Sequence, residues 1–346
     1  MTYKLLVISL LVVTGGPSKG SKPMSKLPLT LACWDYDRVK PLMLKQVEPE
    51  GIALNLLPYA PDDSVWRMVR GQEYDASEMT MGTYVLLRSL GQAPYIAIPV
   101  FLARFFPHSG IFVNTKSNIH EPADLRGKKV GAPQYQMTTA VWTKGILQHD
   151  YGVMPETISW YLGRAEVGLD LPPNIKWQLI PQGTGKMLAD LLIEGELDAL
   201  FMPRVPPKFK NGPPHIKQLF ANPRQLEIEY YKRTGIFPIM HCVVIKESLY
   251  RENPWIAFSL YRAFCKARDI CYEDLDQTLE GLKYMVPWLD IHMNDVRQIL
   301  GKDFWPYGIK ANRKVLETFI EYMLEQHLIK KKLSVEELFC ETTLDT

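Results

Sequence analysis

The sequence predicts a two-lobed α/β protein with a cleft between the lobes, and three observations lead there. Short apolar strands alternate with amphipathic helices from Leu27 onward, the pattern of layered α/β folds. The 346 residues exceed what one compact layered domain needs and suit two lobes of about 100–150 residues each. After Gly235 the pattern returns to a strand and then turns largely helical. The order is therefore lobe, crossing, second lobe, return crossing, helices.

Residues 29–34 read as the first strand, with Asp35-Tyr36-Asp37-Arg38 at its C-terminal end. Residues 52–57 form a second strand, followed by a helix expected to be capped by Asp62 or Asp63. Residues 74–79 lead as a strand into a helix through Leu90, and 95–101 and 110–114 are further strands. Glu121 to Gly131 makes a short helical turn, a glycine stop and a new strand, and a helix starts near Thr138. Strand 175–180, helix 185–194 and the turn Gly195-Glu196 into strand 197–201 complete a second unit. Strand 239–245 comes next. Asn253-Pro254 then opens a helical region, and Ser334-Val335-Glu336-Glu337 is a capping box near the end. The expected division is 1–26 as an extension or signal-like segment, 27–115 plus 238–346 as lobe one, and 116–237 as lobe two.

Composition excludes several classes. With 47% hydrophobic and 23% charged residues the chain has a real core and a soluble surface. Forty Lys and Arg against 38 Asp and Glu leave a net charge of +2, which supplies neither a nucleic-acid surface nor a polybasic membrane arm. G-x-G-x-x-G, Walker-type loops and heptads are absent, which argues against dinucleotide enzymes, P-loop NTPases and coiled coils. The five cysteines are scattered, without a C-x-x-C pair, and the histidines lack H-E-x-x-H, so reduced, mostly buried thiols and no metal are expected.

Residues 1–23 allow two readings. Lys4, an apolar run from Leu5 to Val13 and a polar Thr14-to-Gly20 tail have the layout of a secretory signal. Against it stand a single Lys, no A-x-A site and a proline at Pro17, and Met24 is the alternative start. The run is shorter than the ~20 residues of a transmembrane span.

Asp124-Leu125-Arg126-Gly127-Lys128-Lys129-Val130-Gly131, Leu192 to Leu200, and Val243-Val244-Ile245 with Asn253-Pro254-Trp255 stand in the order found in type II periplasmic-binding-protein folds, which the chain resembles. A narrower resemblance rests on longer strings. Leu31-Ala32-Cys33-Trp34-Asp35-Tyr36-Asp37-Arg38, Ala97 to Phe101, Arg104-Phe105-Phe106-Pro107-His108-Ser109 and Tyr135-Gln136-Met137-Thr138 are similar to the 4,5-dihydroxyphthalate decarboxylase family. So are Thr234 to His241 and Asp303 to Gly308, and the stretch between Tyr161 and Leu171 is shorter than the family's. The resemblance implies a cofactor-independent carboxy-lyase, with 4,5-dihydroxyphthalate going to 3,4-dihydroxybenzoate plus CO2. The other reading is a non-catalytic solute-binding protein for an aromatic carboxylate or similar anion.

In α/β lobes ligands gather at the C-terminal ends of strands beside helix N-termini. That points to Asp35, Tyr36, Arg38, Glu78 and Thr138 at the cleft. Arg104 and Arg38 are expected to grip carboxylate, Phe106 and Tyr135 to flank a ring, and Arg204 to stand at the cleft mouth. His108 and His241 are the expected acid/base pair, in unresolved order, with Asp35 or Glu78 orienting a histidine or accepting a hydroxyl proton. A polar ring at His241, inside an apolar run, either bonds within the core or faces the cleft. Trp305 and Tyr307 are expected to pack. A small aromatic carboxylate is the expected partner, with no nucleic acid, no stable membrane insertion and a homo-oligomer as an option. A cytoplasmic location goes with the enzyme, and export with a signal at residues 1–23.

Overall fold

The computed structural model describes residues 25–165, 171–180, 183, 185–210, 212–281 and 283–346. The signal-like stretch 1–23 lies outside them. Eleven strands are present among the described residues: β1 (Leu27–Cys33), β2 (Ile52–Pro58), β3 (Ala76–Thr80), β4 (Tyr95–Arg104), β5 (Ile111–Asn114), β6 (Lys129–Ala132), β7 (Ser159–Leu162), β8 (Lys176–Leu179), β9 (Ala199–Phe201), β10 (Ile216–Gln218) and β11 (Ile239–Lys246). They form two sheets, ordered β2-β1-β3-β11-β4 and β10-β5-β9-β6-β7-β8. Each sheet is the spine of one lobe, and the chain crosses between them after β4 and returns at β11.

In the first sheet β1 runs parallel to β2 and β3, while β11 lies antiparallel between β3 and β4. Its central strands are buried over almost their whole length, as strands covered by helices on both faces must be. The helix Trp255–Gly281 packs along this lobe against β4 and the segment after β1. In the second sheet β6, β7, β8 and β9 run parallel, and β5 is antiparallel to β9 and β10. Among the described residues no helix is long and apolar enough to cross a membrane.

Three local expectations change. β5 belongs to the second sheet, so the first crossing lies between Arg104 and Ile111 rather than after residue 115. Asp62 and Asp63 do not cap their helix. Ala60 holds that position, Pro61 is first in the helix Pro61–Gly71, and the two aspartates sit in its first turn, where they complement the helix dipole. The helix expected over 185–194 begins at Leu188. The C-terminal capping box forms as expected: Glu337 accepts from the Ser334 backbone N–H at 2.7 Å, and Ser334 Oγ accepts from the Glu337 N–H at 3.3 Å. All five cysteines are free, and four of them are buried.

The lobes meet where the helix Met81–Ser89 of lobe one abuts the segment leading into the helix Thr138–Tyr151 of lobe two. Thr138 Oγ1 accepts from the Gly82 N–H at 2.9 Å, and Trp142 Nε1 donates to the Ile239 carbonyl at 3.0 Å. A Cβ on Gly82 would stand 2.2 Å from the Gln136 carbonyl oxygen, so backbone touches backbone there. Gly82→Ala is therefore expected to push the lobes apart at a cost of about 1–3 kcal/mol, read as a lower denaturation midpoint in urea. An unchanged midpoint would show that the contact is not needed.

Candidate functional site

The inter-lobe cleft encloses about 430 Å³. Its lobe-one wall is built at the C-terminal ends of the parallel strands, where Trp34, Tyr36 and Arg38 follow β1 and Thr80 and Thr83 open the helix after β3. Lobe two contributes Met137, Thr138 and Thr139 at a helix start, Arg164 after β7, and Met202 and Arg204 after β9. Two helix N-termini, at Met81 and Thr138, thus open on one space, which favours an anion.

At the centre of the lobe-one wall lies Glu78, a carboxylate with no solvent exposure. Its Oε1 accepts from Tyr36 Oη at 2.7 Å and pairs with His241 Nδ1 at 2.6 Å, and its Oε2 accepts from the Trp34 backbone N–H at 3.1 Å. Strand register creates this meeting. Glu78 opposes Val243 and Thr80 opposes His241, so Glu78 and His241 are diagonal neighbours on one face of the β3–β11 pair. The β11–β4 pairing shifts register on both sides of His241, and such irregularities re-aim a side chain.

Burial pushes the Glu78 pKa up. The His241 hydrogen bond and charge, the Tyr36 hydroxyl and the Trp34 N–H outweigh it and hold the carboxyl below the usual range. Tyr36 moves the other way: burial, then the Glu78 charge and hydrogen bond, raise its phenol well above its ordinary value. Glu78 is thus the anion and Tyr36 keeps its proton. An anionic Glu78 favours a proton on His241 Nδ1, which leaves Nε2 as the other nitrogen of a ring that lines the cleft. The arrangement can carry one proton at that atom and stabilise the imidazolium that results.

Four arginines line the cleft (Arg38, Arg104, Arg164, Arg204) against one carboxylate, Asp62. Arg38 is sandwiched between the Tyr36 and Trp305 rings, at 4.1 and 4.2 Å, and donates through Nε to the Leu102 carbonyl at 2.9 Å. Arg104 is buried and spends its donors on the carbonyls of Phe237 and Pro306 and the side chain of Asn312. Burial without a carboxylate partner lowers its pKa to about 9. The lobe-two pair differs. The Arg164 guanidinium lies 5.3 Å over the Trp66 ring and that of Arg204 5.3 Å over Trp34, each reaching across the cleft. Both residues are exposed, and neither guanidinium has an ion pair or hydrogen bond among the described residues.

Of the expected residues, the structure brings Tyr36, Glu78, Arg38, Arg104, Thr138, Arg204 and His241 to the cleft or directly behind its wall. His108 is not among them, so the structure does not bring the expected histidine pair together in the cleft. His108 sits at the crossing between the lobes, buried in an apolar niche of Pro107, Ile111, Ile146 and Phe220, with its ring against Phe220 and Tyr230. Phe106 is also displaced, because it stacks on Phe237 at 4.8 Å in the crossing while its neighbour Phe105 faces the cleft. Tyr135 is fully buried against Trp160. Asp35 is exposed and not on the cleft wall. Sequence reading missed Trp34, Trp66 and Arg164, and it assigned Trp305 to packing although its ring lines the cleft under Arg38. An aromatic facing an arginine across two lobes leaves no trace in local spacing.

The fold is that of the two-lobed periplasmic binding proteins. The periplasmic aliphatic sulphonate binding protein SsuA from Escherichia coli superposes with a TM-score of 0.52 over 93% of this chain and 100% of its own, at 12% identity. The alkanesulfonate-binding protein SsuA from Xanthomonas axonopodis pv. citri gives a TM-score of 0.52 over 92% of this chain and 99% of its own, also at 12% identity. Such low identity speaks for the fold alone. Sequence relatives are closer: a 4,5-dihydroxyphthalate decarboxylase of Comamonas testosteroni is 33% identical over 330 residues, 93% of this chain and 99% of the relative. One of Pseudomonas putida is 32% identical over 216 residues, 60% of this chain and 83% of the relative. No protein-family model matches the chain. The chain belongs to the 4,5-dihydroxyphthalate decarboxylase family and is an enzyme of the carboxy-lyase class.

Burial lowers the His108 pKa to about 4. An unfolded histidine takes up its proton near pH 6.5, whereas the folded one stays neutral until about pH 4. The unfolded state therefore binds more protons in that window, and stability falls as pH drops through it, by on the order of 3 kcal/mol. Urea unfolding at several pH values should show this loss in the native chain relative to His108→Leu. Parallel pH profiles for the two proteins would contradict a buried neutral His108.

Proposed function

We propose that the protein decarboxylates 4,5-dihydroxyphthalate to 3,4-dihydroxybenzoate and CO2 in the inter-lobe cleft, with the His241–Glu78 pair handling the proton. The observation that carries the reading is a fully buried, hydrogen-bonded carboxylate backing a histidine in an arginine-lined cleft. A dianionic ring suits that surplus of positive charge, and the aromatic faces of Trp34, Tyr36 and Phe105 suit a planar ligand.

The chemistry needs no electron-sink cofactor, because the ring supplies its own sink. Loss of the proton from the hydroxyl para to the departing carboxylate, taken up by solvent water before the lobes close, pushes electron density to the carbon that bears it. The arginines favour this phenolate electrostatically. His241, protonated at Nε2 and steadied by Glu78, gives its proton to that carbon and forms a C–H bond. The C–C bond to the carboxylate then breaks, its electron pair returns to the ring, and CO2 leaves. The phenolate takes a proton back and His241 is recharged from solvent, so one proton is consumed overall. Arg164 and Arg204 hold the two carboxylates from lobe two, exchanging tryptophan faces for bidentate anion contacts as the lobes close. Closure also excludes water from the reacting carbon.

Purified protein mixed with 4,5-dihydroxyphthalate should release CO2 and accumulate 3,4-dihydroxybenzoate. Tight binding without product would turn the assignment toward a solute-binding protein. His241→Gln and Glu78→Gln should each lose about 10²–10⁴ in kcat, with circular dichroism unchanged. His108→Gln should stay within a few-fold of the native rate. Loss of turnover in His108→Gln with full activity in His241→Gln would reverse the assignment. Arg164→Met and Arg204→Met should raise KM by about 10–100-fold each, the worth of a charged hydrogen bond.

A further inference from the structure

The cleft is not closed at its lobe-two end. It adjoins a second compartment of about 960 Å³, more than twice the cleft's own volume, and the two share Asp62, Met137, Arg164, Met202 and Pro203 in their linings. Beyond that junction the lining is apolar, with Ile180, Met187, Leu188 and Pro206. Its two lysines are already matched: Lys186 pairs with Glu194 and Glu196, and Lys208 with Asp190. Arg164 stands at the junction with its guanidinium over the Trp66 face and no ion pair among the described residues. The cleft alone lies within the size range of small-molecule sites. A single substituted ring leaves the compartment empty, and the exposed Met187 and partly exposed Ala189 would then face water for no gain.

We propose that this compartment is a specificity site for an apolar arm, an alkyl chain or a fused second ring, carried next to a carboxylate of the aromatic dicarboxylate bound in the cleft. The inference rests on the reading of the cleft as an aromatic dicarboxylate site and extends the range of substrates beyond a single ring. Arg164 would hold the carboxylate at the junction while the arm passes Met137 and Met202 into the apolar space. Preference for extended ligands comes from apolar area removed from water.

Calorimetric titration of the full chain with two unreactive probes, phthalate and naphthalene-1,2-dicarboxylate, tests this. Both lack the hydroxyls that the reaction requires, and they differ by the fused ring beside one carboxylate. The fused-ring probe should bind at least about tenfold more tightly than phthalate, since a second ring buries several CH groups. Ala189→Trp and Met187→Trp each put a bulky ring into the compartment's lining, outside that of the cleft, and should bring the two probes within about twofold of each other, with phthalate affinity unchanged. Equal affinities in the native chain would overturn the inference, as would a fused-ring advantage that survives both tryptophan variants. If phthalate itself fails to bind, the reading of the cleft falls first. If phthalate binds and the fused ring adds nothing, only the compartment's role is lost.

Discussion

The burial of one carboxylate organises this molecule. Glu78 lies in the middle strand region of the lobe-one sheet with no exposure, where an unpaired charge would cost several kcal/mol. It is tolerated because three donors from two segments converge on it: a backbone N–H and a phenol just after β1, and an imidazole on β11. β11 is the strand with which the chain returns from lobe two. The carboxylate therefore ties the start of lobe one to the return crossing, and the site can form only when both crossings have been made.

The cleft's charge follows from a division of labour between the lobes. Lobe-one arginines are immobilised by their surroundings. Arg38 is clamped between two rings, and Arg104 is fastened to carbonyls. They shape the field but have few donors left to give. Lobe-two arginines rest on tryptophan faces, contacts worth about 0.5–1 kcal/mol at exposed positions. A carboxylate offers a guanidinium more than a ring does, so these two are positioned to exchange partners. A chain whose net charge is only +2 thereby concentrates positive charge where an anion would lie.

Much of this was legible beforehand. The alternation of strands and helices, the double crossing and the capping box at Ser334 follow from local pattern and local chemistry. Glu78, Tyr36, Arg38 and His241 were expected at the cleft from their places at strand ends and in strings similar to the family's, and they lie on its wall or directly behind it. Where the reading failed, the reason is physical. His108 and Phe106 share a string with Arg104 and Phe105, but that string turns through the crossing. Its start, Arg104 and Phe105, still reaches the cleft, whereas Phe106 and His108 further along pack inside the crossing. Trp66 and Arg164 carry no local sign of function, since each becomes part of the site only through the other.

The sequence by itself determined the fold class, the order of the lobes and the kinds of side chain available to the cleft. Those depend on periodicity and on short-range capping, which act within a few residues. Only the tertiary structure decided which histidine stands at the cleft and which arginines keep donors to spare. It also decided that an apolar compartment opens beyond Arg164. These depend on strand register and on the approach of two lobes. A shift of one residue in the β3–β11 pairing would turn His241 away from Glu78, and no nearby residue records that choice.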